Sequence, residues 1–432
     1  MTTRRSFLAG GGAALAGSTL LGAATACGPE DRPRRSAARF DPRNWDSVRA
    51  QFTLDRNVRP LTAFVLASHP APVRAAIEKH RRGLDSDTQG YLAHEQDLES
   101  AVAEAAAKYL GTDSSSVAFT DSTTMGLGLV YNGLRLRPGD EVVTTEHDFY
   151  ATHEALRLAA ARSGATVRRV KLYDDPAKAD ADAIVDTIRR AVTQRTRAVA
   201  VTWVHSSTGV KLPIRQIADA LPPGPGRALL CVDAVHGFGA DHVPVTDLGA
   251  DVFVSGCHKW LFGPRGTGLI WARRDAWDRI TPTIPTFDPS GFASWLGRTG
   301  VERAPGPLMT PGGYHSFEHR WALAEAFQLH LDIGPERVTE RTAELAGRLK
   351  DGLAGIAHVR LVTPRDPALS AGLVCCEIGG MDPYEAVSRL RSGHRIGASV
   401  TPYRTPLVRF GPSIVNSDED IEATLKAVRA LD

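Results

Sequence analysis

Apolar positions along this chain alternate between short β-branched runs and longer stretches with helical spacing. Runs at Val117–Thr120, Glu141–Thr145, Thr166–Leu172, Arg197–Trp203, Ala228–Val232, Asp251–Val254 and Gly268–Ala272 predict strands. Helical patterns lie between most of them, notably Tyr150–Arg162 and Ala181–Val192, and Pro72–Leu84 and Glu95–Leu110 precede the first run. Strands that alternate with helices predict a mostly parallel sheet covered on both faces. The pattern changes after Pro305-Gly-Pro. Helical stretches at Ser316–Leu331 and Glu336–Ala354 lead to strand-like Val359–Val362 and Leu373–Ile378. A helix at Tyr384–Arg391, a strand at Leu407–Arg409 and a final helix at Asp418–Leu431 follow. The expected layout is a leader and linker over 1–35, a large α/β domain over 36–305 and a smaller α+β domain over 306–432.

Composition narrows the class. The chain has 432 residues, 43% hydrophobic and 23% charged, enough to bury a large core. A formal net charge of +2 gives no argument for nucleic acid or an anionic membrane surface. The five cysteines, Cys27, Cys231, Cys257, Cys375 and Cys376, include no metal-type CxxC pair, and no metal is expected. The fold needs no disulfide.

The first residues read differently. Arg4-Arg5 precede Ser6-Phe7-Leu8 and a short Ala/Gly-rich apolar run. This is the layout of a signal peptide with a twin-arginine head, too short and glycine-rich for a membrane span. Ala24-Thr25-Ala26 before Cys27 reads either as an A-x-A cleavage site or as an imperfect lipobox with Cys27 lipidated. Export of an already folded protein suits one that loads a cofactor in the cytoplasm. A periplasmic or extracytoplasmic location, with the twin-arginine translocase as a transient partner, is the expectation. A cytoplasmic protein with a misleading N-terminus is the alternative.

Ligands gather at the C-terminal ends of parallel strands, so polar residues there carry the chemistry. Asp121-Ser-Thr123-Thr124-Met-Gly follows the first predicted strand; hydroxyls and amides at a helix start form an anion site, or simply an N-cap. Glu146-His147-Asp148 follows the second, with a histidine that can stack on a ring or pack. Asp233-Ala-Val-His236 ends the fifth; an acid at the end of a buried strand is costly unless it meets a cation. Ser255-Gly-Cys-His258-Lys259-Trp-Leu-Phe-Gly follows the sixth. Alone, Lys259 reads as a surface lysine in a glycine loop. Together the four describe one ligand: a phosphate, a flat ring with a protonatable nitrogen, and an aldehyde for a lysine amine. That ligand is pyridoxal 5′-phosphate.

With these motifs, and with VTWVHSSTGVKLPI, CVDAVHGFGA and LVRFGPSIVNSDEDIE, the chain resembles the class V aminotransferase-fold enzymes, fold type I among pyridoxal phosphate proteins. The group includes isopenicillin N epimerase-like enzymes and cysteine desulfurases. The resemblance runs from about Leu66 to the C-terminus. It implies that Lys259 carries the cofactor as a Schiff base and that Asp233 pairs with the pyridine nitrogen. It implies that His147 stacks on the ring, that His236 lies near the ring hydroxyl with Ser206 close by, and that Thr123, Thr124 and His258 hold the phosphate. Arg409 matches the arginine that grips a substrate carboxylate. His69 sits in the segment that approaches the substrate in relatives. The family is dimeric, and Thr310–Arg320 falls where it reaches across to the neighbour's cofactor.

One departure is informative. Desulfurases of the second type carry R-x-G-H-H-C; here Arg391-Ser-Gly-His394-Arg395-Ile396 places isoleucine at the thiol position. Persulfide chemistry on a protein cysteine is therefore not expected. Transamination, epimerisation, deamination and lyase chemistry at an amino acid's Cα stay open, because each uses the same electron sink. A non-catalytic exported binding protein is the reading from another class. The combination of a twin-arginine signal with this fold is similar to the periplasmic pyridoxal phosphate enzyme that modifies the siderophore pyoverdine. It implies an amino-acid-like substrate in secondary metabolism.

Overall fold

The computed structural model describes residues 40–224, 226–298 and 304–431; the twin-arginine segment and Cys27 lie outside them. Seven strands form the central sheet: β1 (Val117–Thr120), β2 (Glu141–Thr145), β3 (Thr166–Val170), β4 (Thr196–Thr202), β5 (Leu229–Asp233), β6 (Val252–Gly256) and β7 (Gly268–Ala272). Their order is β3-β2-β4-β5-β6-β7-β1, and all pairs are parallel except those made by β7. This is the mostly parallel sheet that the alternating pattern predicts, in the fold type I arrangement that the resemblance implies. The predicted strands fall within about two residues of these bounds, the usual scatter of element ends.

Period-two alternation divides the central strands between two cores. Val199, Val201, Leu230 and Val232 face one apolar cluster, while Ala198, Ala200, Leu229 and Cys231 face the other. Both faces are buried, so the strands read as continuous apolar runs rather than as clean alternation. Helix α1 (Ala71–Ser86) and helix α2 (Glu95–Leu110) cover one side together with a later helix, Phe317–Ile333, which packs against both. That later helix follows position 305, yet its contacts are with the large sheet's own layer.

Helix α3 (Thr123–Gly133) leaves β1 directly. The Ser122 hydroxyl caps it by accepting from Met125 N at 3.2 Å. It lies tight on β6: a Cβ at Gly126 would sit 2.5 Å from Val254 Cγ1.

The C-terminal part builds an antiparallel sheet of β8 (Val359–Leu361), β9 (Val374–Ile378), β10 (Ser399–Val400) and β11 (Val408–Phe410), in the order β10-β11-β9-β8. Helices Pro335–Ala354, Pro383–His394 and Asp418–Arg429 share its apolar cluster. Cys375 and Cys376 lie in β9 with 0% exposure, as expected of a buried strand. Ile396 is in a two-residue strand beside Arg59 and is also buried, so the position a desulfurase gives to its thiol is packed into this core.

Candidate active site

Strands β2, β4, β5 and β6 are parallel, so their C-terminal ends share one edge. β1 joins them through β7: Thr120 pairs with Gly268, which pairs with Gly256. Each end then delivers its polar residues to one place. His147 follows β2, Ser206 follows β4, Asp233 ends β5, and His258 and Lys259 follow β6.

Lys259 opens a tight turn, in which Phe262 N donates to the Lys259 carbonyl at 2.9 Å. Phe262 holds a left-handed φ of 57°, costly for an aromatic residue. It is held there by burial and by an edge-on contact with Phe52, 5.0 Å between centroids. The turn fixes the lysine backbone. The Lys259 ammonium has no hydrogen-bond or ion-pair partner among the described residues. Burial pulls its pKa down to about 8, against the attraction of Asp233.

Asp233 is 2% exposed, and Val235 N donates to its Oδ1 at 3.1 Å. Burial pushes its pKa up to about 7, opposed by that amide and by the Lys259 charge. No cation lies in ion-pair range of it among the described residues. His236, three residues later, accepts from Trp260 Nε1 at 3.3 Å and is held neutral by burial.

The His147 ring is clamped. Tyr173 stacks on one face at 3.9 Å and 15°, and Leu172 N donates to Nε2 at 3.2 Å. Burial lowers its pKa to about 3, so the clamped ring is neutral and flat. Tyr173 is anchored in turn by His205 Nδ1 at 2.8 Å and Thr208 Oγ1 at 2.9 Å. Beneath, the Asp148 carboxylate accepts from Thr144 Oγ1, Thr145 N and Thr202 N, which ties the ends of β2 and β4 together.

At the start of α3, Thr123 is buried and accepts from Gly256 N at 2.7 Å, while Thr124 is exposed. Gly256 permits that approach, since a Cβ there would meet Thr123 Oγ1 at 3.1 Å and His258 Cε1 at 2.9 Å. The α3 N-terminus, Thr124 and His258 thus form an anion-compatible corner.

Arg409, in β11, reaches the same edge from the small sheet. Its Nε donates to Ser399 Oγ at 3.1 Å, its Nη1 donates to the Ser206 carbonyl at 2.9 Å, and its guanidinium lies 4.6 Å above the Phe64 ring. It is 7% exposed, and no carboxylate pairs with it among the described residues. Ser206 Oγ meets Tyr403 OH at 2.6 Å. His69 stands apart: Ala67 N donates to the His258 carbonyl at 3.0 Å, but the His69 ring turns toward His319. Phe64, Tyr173, His205 and Tyr403 are the residues that sequence reasoning missed.

These residues fit pyridoxal 5′-phosphate on their own chemistry. A half-buried lysine and a buried aspartate face one edge without partners for their charges among the described residues, beside a neutral ring and an anion corner. The arrangement defines a fold type I pyridoxal phosphate site. Comparison with known proteins agrees. The aminotransferase class-V family model matches residues 80–423, and the chain belongs to that pyridoxal phosphate-dependent family of enzymes. It is 25% identical to isopenicillin N epimerase of Streptomyces clavuligerus over 402 residues, 90% of this chain and 98% of that one. It is 32% identical to a probable cysteine desulfurase of Aeropyrum pernix over 285 residues, 63% of this chain and 66% of the relative. Among solved structures, a C-DES variant with glycine covalently linked to its cofactor superposes with a TM-score of 0.80 at 22% identity, covering 88% of this chain and 98% of that one.

Proposed function

We propose that the enzyme acts at the amino group and Cα of an amino acid or amino-acid-derived metabolite, by transamination, deamination or epimerisation. The observation that carries this is Arg409: a buried guanidinium held by Ser399, Ser206 and Phe64, with no carboxylate to neutralise it among the described residues. It suits a substrate α-carboxylate, bound bidentately. Lys259 would anchor the cofactor, Asp233 would hold the ring nitrogen, His147 would carry the ring, His236 and Ser206 would line its hydroxyl side, and Thr123, Thr124 and His258 would hold the phosphate. Pyridoxal phosphate, when bound, supplies the electron sink that makes the substrate's Cα–H acidic. Lys259 then moves the proton at Cα. An amine with pKa near 8 suits that work close to neutral pH. Arg409 orients the substrate, and the buried edge excludes water.

A second reading is carbon–sulfur lyase chemistry that uses no protein thiol. A cystine C-S lyase, C-DES, shares the fold with a TM-score of 0.78. The four described cysteines are all buried, and burial raises each thiol's pKa, which argues against a protein persulfide but leaves a substrate-borne sulfur possible. The test is the visible spectrum of the loaded protein during turnover of amino acids and of cystine. Keto acid or racemised product supports the first reading; pyruvate with released sulfur supports the second. A protein that takes up no cofactor overturns both and supports a binding role.

Export by the twin-arginine route belongs to the same proposal, supported by Arg4-Arg5 and the apolar run. With it go either cleavage after Ala24-Thr25-Ala26 or lipid attachment at Cys27, and a role in tailoring a siderophore or peptide. Arg4→Lys with Arg5→Lys tests export: an unchanged location in cell fractions refutes it. A homodimer is supported by an open apolar groove of about 1100 Å³ lined by Ile284, Phe287, Phe292 and Trp295, and by Tyr314, which is 86% exposed. Light scattering of the purified protein decides it.

A further inference from the structure

A second cationic cluster lies at the far end of the segment that begins under Arg409. Phe64 supports the Arg409 guanidinium, and Ala67 N is bonded to the His258 carbonyl. Between them Val65 and Leu66 are large apolar residues left 50% and 51% exposed. The strip ends at His69, whose ring lies edge-on to His319, 6.3 Å between centroids. His319 Nδ1 donates to the Arg265 carbonyl at 3.0 Å, which ties this corner to the loop that follows Lys259. Arg265 is exposed, and no carboxylate pairs with it among the described residues. His69 is more than nine-tenths buried, and its Nε2 has no partner. Burial first, then the charges of Arg265, His319 and Arg74, hold its pKa down at about 4. Arg74 is already taken up by the His69 and Gln51 carbonyls, at 2.6 and 3.1 Å. The corner therefore gathers positive charge and an unsatisfied imidazole, with no acid paired to Arg265 or His69 among the described residues.

We propose that Arg265 and His69 bind a second carboxylate at the remote end of the substrate, so that the enzyme selects amino acids whose side chain ends in an acid. Arg409 holds the α-carboxylate, Val65 and Leu66 cover the intervening methylenes, and Arg265 faces the terminal group. His69 adds a neutral N–H donor. The inference rests on the amino-acid reading given above and names the substrate class for that site.

The experiment uses the full-length protein saturated with pyridoxal phosphate. Absorbance titrations compare L-aspartate, L-glutamate, L-2-aminoadipate and L-2-aminopimelate, each with the neutral straight-chain amino acid of equal carbon number. At one chain length the acid is expected to bind about tenfold more tightly than its neutral counterpart, the contribution of one charge-assisted contact. Arg265→Gln brings that ratio toward one, and Arg265→Glu inverts it. His319→Gln, which releases the Arg265 carbonyl, lowers the ratio from the other side of the loop. A ratio near one at every length, or one that survives in Arg265→Gln, overturns the inference while the amino-acid reading stands. A loaded protein that responds to none of the amino acids overturns both.

Discussion

The two ends of the central sheet treat buried charge in opposite ways. At the N-terminal ends the buried acids Asp251, Asp140 and Glu141 are answered. Asp251, 1% exposed, meets Arg227 at 2.6 Å and Arg273 at 3.0 Å, and accepts from Leu230 N at 2.7 Å. Asp140 meets Arg197 at 2.7 Å, and Glu141 meets Arg168 at 3.3 Å. At the C-terminal ends Asp233, Lys259 and Arg409 are buried or half-buried, with no opposite charge in ion-pair range among the described residues. Lysine makes the contrast sharper. Lys350 and Lys259 both have pKa values pulled down to about 8, chiefly by burial. Lys350, in the helix Pro335–Ala354 outside the central sheet, donates to the Pro364 and Arg365 carbonyls and to Ser370 Oγ, whereas Lys259 has no acceptor among the described residues. One end of the sheet is finished as structure; the other is left incomplete for a ligand that brings the missing groups.

That difference predicts opposite costs. Lys259→Ala should lower turnover by about 10³-fold or more, because it removes both the anchor and the base. Borohydride reduction of the loaded protein, followed by peptide mapping, should then find no labelled lysine. Melting of the cofactor-free variant should be no lower than that of the wild type, since an unpaired, half-buried charge has been removed. If the variant keeps full turnover, Lys259 is not the reacting residue. Arg409→Gln comes next, with kcat/KM lower by about 10²-fold and most of the change in KM. A loss in kcat alone would move Arg409 from substrate binding to support of the sheet. Asp251→Asn should do the reverse of both. It leaves Arg227 and Arg273 without their acid and costs about 3 kcal/mol of stability, read by denaturant melts, while cofactor affinity stays the same.

Much of this site is legible in the chain because its chemistry is local. Asp233 and Lys259 each stand where an apolar run stops, and a polar residue at the end of a buried strand has to be accounted for. The same holds for the α3 cap, since Ser122, Thr123 and Thr124 adjoin β1. What is not legible is set by distance along the chain. Arg409 is held by the Ser206 carbonyl, 203 residues away, and Ser206 Oγ meets Tyr403, 197 residues away. No periodicity links such pairs. Tyr173 behind His147 is hidden likewise, because an aromatic at a strand's exit looks like ordinary packing. Phe262 in a left-handed turn could not be read at all, as only glycine or asparagine announces that conformation. The short strand Ser399–Val400 is missed because two residues carry no pattern. The helix Phe317–Ile333 is read as a helix, but its return to the large sheet depends on a surface that α1 and α2 create together.

The smallest predicted effect is a pair of pH dependences in the cofactor-free protein. Asp233 titrates near 7 when folded against 3.8 ordinarily. Between those values the folded chain keeps a proton that the unfolded chain has released, so this group's contribution to stability falls as pH rises from about 4 to 7. Lys259 titrates near 8 when folded against 10.5 ordinarily. Between those values the unfolded chain keeps a proton that the folded chain has released, so stability rises as pH climbs from about 8 to 10.5. Melting temperatures of the wild type relative to Asp233→Asn should therefore drop across the acid window, and relative to Lys259→Met should climb across the alkaline one. Flat differences for Asp233 and Lys259 would mean that these charges are answered within the protein after all, and the contrast between the two ends of the sheet would collapse.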